Sequence, residues 1–387
     1  MTPAPLEATI DLSAIAHNVG VVADRAGSAV MAVVKADGYG HGAVPVAQAA
    51  IAAGATDLGV ATVAEALSLR AAGIDTPVTA WLHTPSTDFV PAVAAGVDIA
   101  VSSVRQLQQV LAAACALSVP AVVSVKVDTG LSRNGVAPAE WDALRGELVT
   151  AVAHGSIRLR AMMCHLARGD EPDHPLNDLQ AARLDACVAD LARAGVTPEL
   201  VHIANSAAAL ARPDLARDLV RAGIALYGFS PLPHDHGLIP AMTLSAEVSS
   251  VKRVCAGQGV SYGHTWTADR DTRLALLPAG YADGVPRLLS NRIEVSIGGR
   301  RYPGVGRICM DQMVVDVGLD SDVHEGDRAE LFGVGHDSAP TARTWADLIG
   351  TIDYEIITGI RGRTVRRYVG EVPGRATETV SEGEQTR

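Results

Sequence analysis

From residue 30 to about residue 225 the chain repeats one pattern: a short apolar run, a polar or glycine-containing loop, then an alanine- and leucine-rich amphipathic stretch. The apolar runs fall at 30–34, 58–61, 78–82, 99–101, 122–127, 159–163, 200–204 and 219–225. Strands that alternate with helices form a parallel sheet, and eight such units are the number that closes a (β/α)8 barrel. Beyond about residue 240 the texture changes to short β-rich segments at 243–254, 273–277, 292–297, 313–317 and 328–332, separated by glycine-rich turns. The fold class predicted is α/β plus β, an N-terminal TIM-like (β/α)8 barrel over residues 1–238 followed by a mainly β domain over 239–371. The connection between them is expected in Ser230-Pro231-Leu232-Pro233-His234-Asp235-His236-Gly237. Residues 372–387 are polar, rich in glutamate and threonine, and read as a disordered tail.

Composition narrows the class of function. A chain of 387 residues exceeds one ordinary core, in keeping with two domains. A net charge of -11 with no dense basic tract argues against nucleic acid or an anionic membrane surface as the main partner, which leaves a small molecule. No apolar stretch is long enough to span a bilayer, and the first residues have neither a basic region nor an apolar core for secretion, so a cytoplasmic protein is expected. The five cysteines lack a CxxC pair and read as reduced thiols, with neither a disulfide framework nor a thiolate metal site.

In a barrel of this kind the active site lies at the C-terminal ends of the strands, so what each run ends on is informative. The first ends on Lys35, just before the glycine-punctuated stretch Ala36-Asp37-Gly38-Tyr39-Gly40-His41-Gly42. Alone, Lys35 reads as a snorkelling lysine at a strand end. The third run ends at His83, the fifth at Lys126-Val127-Asp128, the sixth at His165, the seventh at Asn205-Ser206, and the eighth carries Arg221-Ala222-Gly223. One such residue is ordinary, but six rim positions together point to a site. Apolar lining lowers an ammonium pKa, and a neutral amine there forms a Schiff base with a carbonyl compound. Loops after strands seven and eight often hold a phosphate, for which Ser206, Asn205 and Gly223 have the right character. A lysine facing a phosphate site fits pyridoxal 5'-phosphate, whose aldehyde takes the lysine and whose phosphate takes strands seven and eight.

The motifs resemble the alanine racemases. The matching blocks are Val33-Val34-Lys35-Ala36-Asp37-Gly38-Tyr39-Gly40-His41-Gly42, Lys126-Val127-Asp128-Thr129-Gly130, and Arg221-Ala222-Gly223-Ile224-Ala225-Leu226-Tyr227-Gly228. They continue through Val260-Ser261-Tyr262-Gly263, Gly280-Tyr281-Ala282-Asp283-Gly284 and Gly306-Arg307-Ile308-Cys309-Met310-Asp311-Gln312, colinear over almost the whole chain. The resemblance implies a pyridoxal phosphate racemase interconverting L- and D-alanine, with Lys35 holding the cofactor and acting as base on one face of Cα. Racemisation needs a second acid/base opposite, and the resemblance puts Tyr262 there. It places Arg221 at the pyridine nitrogen and His165 on the cofactor ring, with a hydrogen bond toward Arg221. Tyr39, Asn205, Ser206, Gly223, Ile224 and Tyr354 gather at the phosphate. It gives the substrate carboxylate to Arg133 and the Met310 backbone N–H, with Lys126 positioning Arg133. In some family members this lysine is carbamylated. Tyr281 and Asp311 narrow the entrance. Tyr262 and Met310 arrive from the second subunit of a head-to-tail homodimer, and the D-alanine formed supplies peptidoglycan or another biosynthetic pathway. One departure is Leu131-Ser132-Arg133-Asn134-Gly135 in place of the commoner Met-Gly-Arg-Leu-Gly form, which keeps the arginine and changes its neighbours.

Three other readings are weaker. A non-catalytic cofactor-binding barrel lacks the second domain, and the related decarboxylases use a glycine-run phosphate loop that is not found between residues 195 and 230. A metal-dependent barrel hydrolase would use His83, His165, His202 and a carbamylated lysine, but no HxH ends the first strand and His234-Asp235-His236 falls in the linker.

Overall fold

The computed structural model describes residues 4–334 and 339–371. The tail predicted for 372–387 lies outside the described residues. The chain opens with strand β1, Leu6–Asp11, and then runs through eight strands that each lead into a helix or a loop. These are β2 Ala29–Val33, β3 Asp57–Val60, β4 Val78–Ala80, β5 Asp98–Val101, β6 Ala121–Lys126, β7 Ile157–Met163, β8 Leu200–His202 and β9 Leu219–Ala222. All eight pair in parallel, in the order β8-β7-β6-β5-β4-β3-β2-β9. The two ends of that ladder meet through Asp218 N–H to the Val201 carbonyl (3.1 Å) and Arg221 N–H to the Ala204 carbonyl (3.0 Å), which nearly closes the barrel. Barrel strands are covered on both faces, which is why β3 and β5 are buried at every residue and, after the aspartate that opens each, read as continuous apolar runs.

The remaining strands are β10 Met242–Glu247, β11 Ser250–Val254, β12 Gly259–Val260, β13 Trp266–Thr267, β14 Thr272–Leu277, β15 Glu294–Ile297, β16 Arg300–Val305, β17 Met313–Asp316, β18 Arg328–Phe332 and β19 Val365–Val369. Among the described residues, all of these but the short β12–β13 hairpin join one nine-stranded sheet, ordered β11-β14-β17-β16-β15-β18-β10-β1-β19. β1 therefore belongs to this sheet, antiparallel to β10 and parallel to β19, before the chain enters the barrel. The segment expected as one strand over 243–254 is two, broken at Val248-Ser249, and β1, β12, β13, β16 and β19 are additions to the strands read from the sequence. β10 alternates buried and half-buried residues, as a sheet with one face on a core does.

One apolar core runs from the barrel into the β sheet, and a smaller cluster of Val254, Val260, Ala268, Leu274 and Val305 packs by itself beside β12 and β13. Between the turn Ile224–Tyr227 and β10 the connection has no helix or strand. It is clamped by buried Asn18, which donates to the Leu226 and Ile239 carbonyls and accepts from the Ile239 N–H. Among the described residues no helix is long and apolar enough to cross a membrane.

Candidate active site

Lys35 lies two residues beyond the C-terminal end of β2, and the chain then does something unusual. Ala36, Asp37, Gly38 and Tyr39 take φ of 53, 52, 61 and 53° in succession, a full left-handed turn. For residues with a Cβ this costs roughly 1–2 kcal/mol each, so the surroundings must hold it. They do so with side chains. Glu65 accepts from the Ala36 N–H (2.7 Å), Asp37 accepts from the Ala43 N–H (2.9 Å) and pairs with Arg366 (2.9 Å), and Arg366 donates to the Gly40 carbonyl (2.8 Å). The turn aims Tyr39 back under the strand end, where Lys35 Nζ lies 5.9 Å from its ring centroid and the Tyr227 ring stacks at 4.6 Å. Tyr227 in turn donates to the Val33 carbonyl, 3.0 Å away. Burial and the nearby Arg133 guanidinium hold the Lys35 ammonium below its ordinary pKa, while Glu65 acts the other way.

Arg221, on β9, is buried and donates to the carbonyls of Cys164 (2.7 Å), Ile203 (3.0 Å) and His202 (3.1 Å) and to two histidine rings. Its partners there are His202 Nδ1 at 2.9 Å and His165 Nδ1 at 3.3 Å. Arginine only donates, so both Nδ1 atoms are acceptors and both rings are neutral. Burial first, then the Arg221 charge, lowers both imidazole pKa values, that of His165 to about 3. Burial lowers Arg221 itself only to about 10, so it stays cationic at neutral pH. His202, which the sequence offered only as a metal ligand, is thus a partner of Arg221. His83 packs its ring edge against Phe89 and does not line the cavity.

Lys126 ends β6 and is buried, with no hydrogen-bond partner for its ammonium among the described residues. Burial, then Arg221, Arg133 and Lys35, bring its pKa down to about 8. No hydrogen bond joins it to Arg133. That residue rides on a loop held by Asp128, which accepts from the Gly130 and Ser132 N–H groups (both 3.0 Å), and by Asn134, which donates to the Trp81 carbonyl (3.3 Å). Ser132, where the commoner form has glycine, sits at φ 58°.

These side chains surround a cavity of about 310 Å³ at the C-terminal mouth of the barrel. At its far end Asn205 caps the helix Ser206–Ala211 by accepting from the Ala208 N–H (3.1 Å), and Ser206 accepts from the Gly223 N–H (2.9 Å). A Cβ on Gly223 would lie 2.6 Å from the Tyr39 hydroxyl, so only glycine permits that approach. Ile224 and Tyr354 complete this end, the Tyr354 phenol pushed up to about 12 by burial. Trp81, also on the wall, carries no motif that marks it in the sequence. Among the described residues lining the cavity are Lys35, Lys126, Arg133 and Arg221, and no carboxylate. Such a lining suits an anion of more than one charge. An apolar-seated lysine at one end and hydroxyls with a glycine cradle at the other match a phosphorylated aldehyde such as pyridoxal 5'-phosphate.

The second-domain candidates are outside this cavity. Tyr262, Met310 and Tyr281 are 71, 53 and 44% exposed, and Asp311 is bound to Arg363 at 2.7 Å. They nonetheless share one face. The Tyr281 and Ala282 N–H groups donate to the Cys309 and Met310 carbonyls (both 3.0 Å), and Ser261, next to Tyr262, donates to the Arg307 carbonyl (2.6 Å).

Comparison with known proteins bears on this arrangement. Residues 10–231 match the family model for the alanine racemase N-terminal domain, and 241–368 that for the alanine racemase C-terminal domain. The chain is 60% identical over 367 residues to an alanine racemase of Mycolicibacterium vanbaalenii, covering 94% of each protein. It is 58% identical over 366 residues to one of Mycobacterium tuberculosis, covering 94% of this chain and 95% of the other. The crystal structure of alanine racemase from D-cycloserine-producing Streptomyces lavendulae superposes with a TM-score of 0.92 at 47% identity, over 96% of this chain and 98% of that one.

Proposed function

The chain belongs to the alanine racemase family, and from that premise we propose that it interconverts L- and D-alanine with pyridoxal 5'-phosphate, using Lys35 and Tyr262 as its two acid/base groups. The observation that carries this reading is the cavity lined, among the described residues, by four cations and no carboxylate, with a lysine at one end and a hydroxyl-and-glycine cradle at the other. When bound, the cofactor draws electron density from the substrate Cα and so makes its proton removable.

The chain's own residues do the rest. Lys35 Nζ would hold the cofactor and, when free of it, would take or return the Cα proton on one face; burial and the nearby Arg133 bring its pKa below the ordinary lysine value, in the direction a base needs. Tyr262 Oη gives or takes a proton on the opposite face, so that one proton leaves and one arrives. Arg221 stays protonated and presents only donors, and therefore cannot hand a proton to the pyridine nitrogen. Arg221 would thereby limit the ring's electron withdrawal and hold back side reactions. His165 covers the ring, while Tyr39, Asn205, Ser206, Gly223, Ile224 and Tyr354 hold the phosphate. Arg133 and the Met310 N–H take the alanine carboxylate, and Tyr281 and Asp311 restrict the side chain admitted. Lys126 beside Arg133 needs a neutralising group, supplied by carbamylation or a bound anion.

Tyr262 and Met310 are exposed on a face away from the lysine cavity, so the working unit is a head-to-tail homodimer in which each copy completes the other's site. The setting proposed is the cytoplasm, where D-alanine feeds peptidoglycan or a biosynthetic pathway. The test is to incubate the purified protein and pyridoxal phosphate with L-alanine in deuterated water, following optical rotation and Cα deuteration. Loss of rotation with one deuterium at Cα is expected. Absence of both exchange and D-alanine overturns the proposal.

A further inference from the structure

We propose that Glu65 is a positioning residue for Lys35: its carboxylate pins the peptide immediately after the lysine and supplies the negative charge that faces it. The inference rests on the reading of Lys35 given above. The two oxygens of Glu65 have separate tasks. Oε1 accepts from the Ala36 N–H at 2.7 Å, one residue beyond Lys35. Oε2 accepts from the Ala61 and Thr62 N–H groups, both at 2.9 Å, and from the Thr62 hydroxyl at 3.3 Å. Thr62 and Glu65 form the capping box of the helix Val63–Ala71. The carboxylate thus staples the exit of β2 to the exit of β3. A capping glutamate ordinarily serves its own helix; this one uses half its acceptors on a left-handed turn 29 residues upstream.

That turn is what makes the staple consequential. Ala36 is its first left-handed residue, and its N–H points out of the turn toward Glu65. Losing Oε1 would free the peptide that sets the direction of the Lys35 side chain. Charge adds a second effect. The groups facing Lys35 are Lys126 from β6, Arg133 from the loop after it, His165 from the end of β7, Arg221 from β9, Tyr39 from the turn, and Glu65. Asp37, also close by, is spent on Arg366. Glu65 is therefore the acid that opposes the cations around the lysine.

The experiment compares Glu65→Gln, Glu65→Asp and Thr62→Val holoenzymes by pH profile of kcat, by pH titration of the bound cofactor's absorbance, and by Tm. In Glu65→Gln the charge is gone and one amide cannot accept on both sides. Its kcat at neutral pH should fall about tenfold, and both pH midpoints assigned to Lys35 should move down by about one pH unit. Glu65→Asp keeps the charge and loses reach, so its kcat should fall with the midpoints near wild type. Thr62→Val removes the helix cap and the longest of the Oε2 contacts while leaving the three backbone N–H donors to Glu65 in place, and should lower Tm with kcat and midpoints unchanged. Wild-type kcat and midpoints in Glu65→Gln overturn the inference, as does an equal midpoint shift in Thr62→Val. If Glu65→Gln does not fold, wild-type kcat in Glu65→Asp overturns it and reduced kcat with retained midpoints upholds it. Lys35→Ala separates the two readings: an active Lys35→Ala enzyme defeats the proposed function, whereas an inactive one beside a wild-type-like Glu65→Gln defeats this inference alone.

Discussion

The two ends of the barrel interior handle buried charge in opposite ways. Toward the N-terminal ends of the strands, Arg160 of β7 is ion-paired with Asp57 of β3 and lies 3.9 Å from Asp98 of β5, both aspartates buried. Asp98 also accepts from the Thr79 and Ser124 hydroxyls at 2.7 Å each. Burial raises its pKa while these hydroxyls and Arg160 restrain the rise. That end is a network whose cation has its own acids, with Asp98 Oδ1 alone of its acceptors left without a hydrogen bond among the described residues. At the C-terminal mouth, Lys35, Lys126, Arg133 and Arg221 surround a cavity whose lining has no acid among the described residues. Arg221 is satisfied only by neutral acceptors. Buried charges are expected to be compensated. At the floor the compensating acids lie within hydrogen-bonding and ion-pairing reach of the cation, whereas at the mouth the cations face the cavity and the lining suits an anionic ligand. The difference separates charge used to hold the fold from charge used to hold a ligand.

The most severe disruption of the mouth is Lys35→Ala. General acid–base contributions are on the order of 10²–10⁴ in rate, and on the function proposed the cofactor's attachment is lost as well, so racemase turnover measured from either enantiomer should fall by at least ~10⁴-fold. With both proteins cofactor-free, Tm should stay near wild type. The matching disruption of the floor is Arg160→Met, which leaves two buried acids without their cation. It should cost about 3–5 kcal/mol of stability in urea unfolding, because breaking a buried pair strands its charge. Equal stability would mean that the floor is not a compensated network.

Lys126→Met makes the mouth resemble the floor by removing a buried charge on which burial and three neighbouring cations outweigh Asp128. The Lys126 pKa in the folded protein is about 8, below the ordinary 10.5, so the unfolded chain binds the proton more tightly. The penalty is fully present below pH 8 and disappears as pH rises from about 8 to 10.5. In cofactor-free protein Lys126→Met should gain up to about 3 kcal/mol at pH 7 and nothing above pH ~10.5. Bicarbonate or phosphate should raise the wild-type Tm at pH 7 and leave the variant's unmoved. The smallest effect belongs to the Arg133 loop. Ser132→Gly relieves a left-handed serine and should change stability by less than about 1 kcal/mol, with KM for alanine read as the sign of any loop movement.

How much was legible follows from the kind of signal each element leaves. The eight barrel runs stood out because parallel strands buried on both faces are continuously apolar. β16, with the sequence Arg-Arg-Tyr-Pro-Gly-Val, and β19, with two central arginines, are half-exposed and carry no such run. β1 alternates over only six residues and finds its partners about 240 and 360 positions later, beyond any local window. In the site, Lys35, Lys126 and Arg221 were visible as charges at the ends of apolar runs. His202, Trp81 and Glu65 were not, because their roles depend on which neighbouring strand end they meet. The left-handed turn left only its glycines as a trace, since Ala36, Asp37 and Tyr39 favour right-handed backbone.

By itself the sequence determined the inventory: eight apolar strands with polar ends, an excess of cations at those ends, and motifs colinear with one family. Periodicity and side-chain chemistry are local properties, and a linear chain displays them directly. Which cations share one cavity, that no acid lines it, and that Glu65 reaches back to the peptide beside Lys35 were decided by tertiary structure. Those facts depend on barrel closure and strand register, set by hydrogen bonds and packing between residues far apart in the chain.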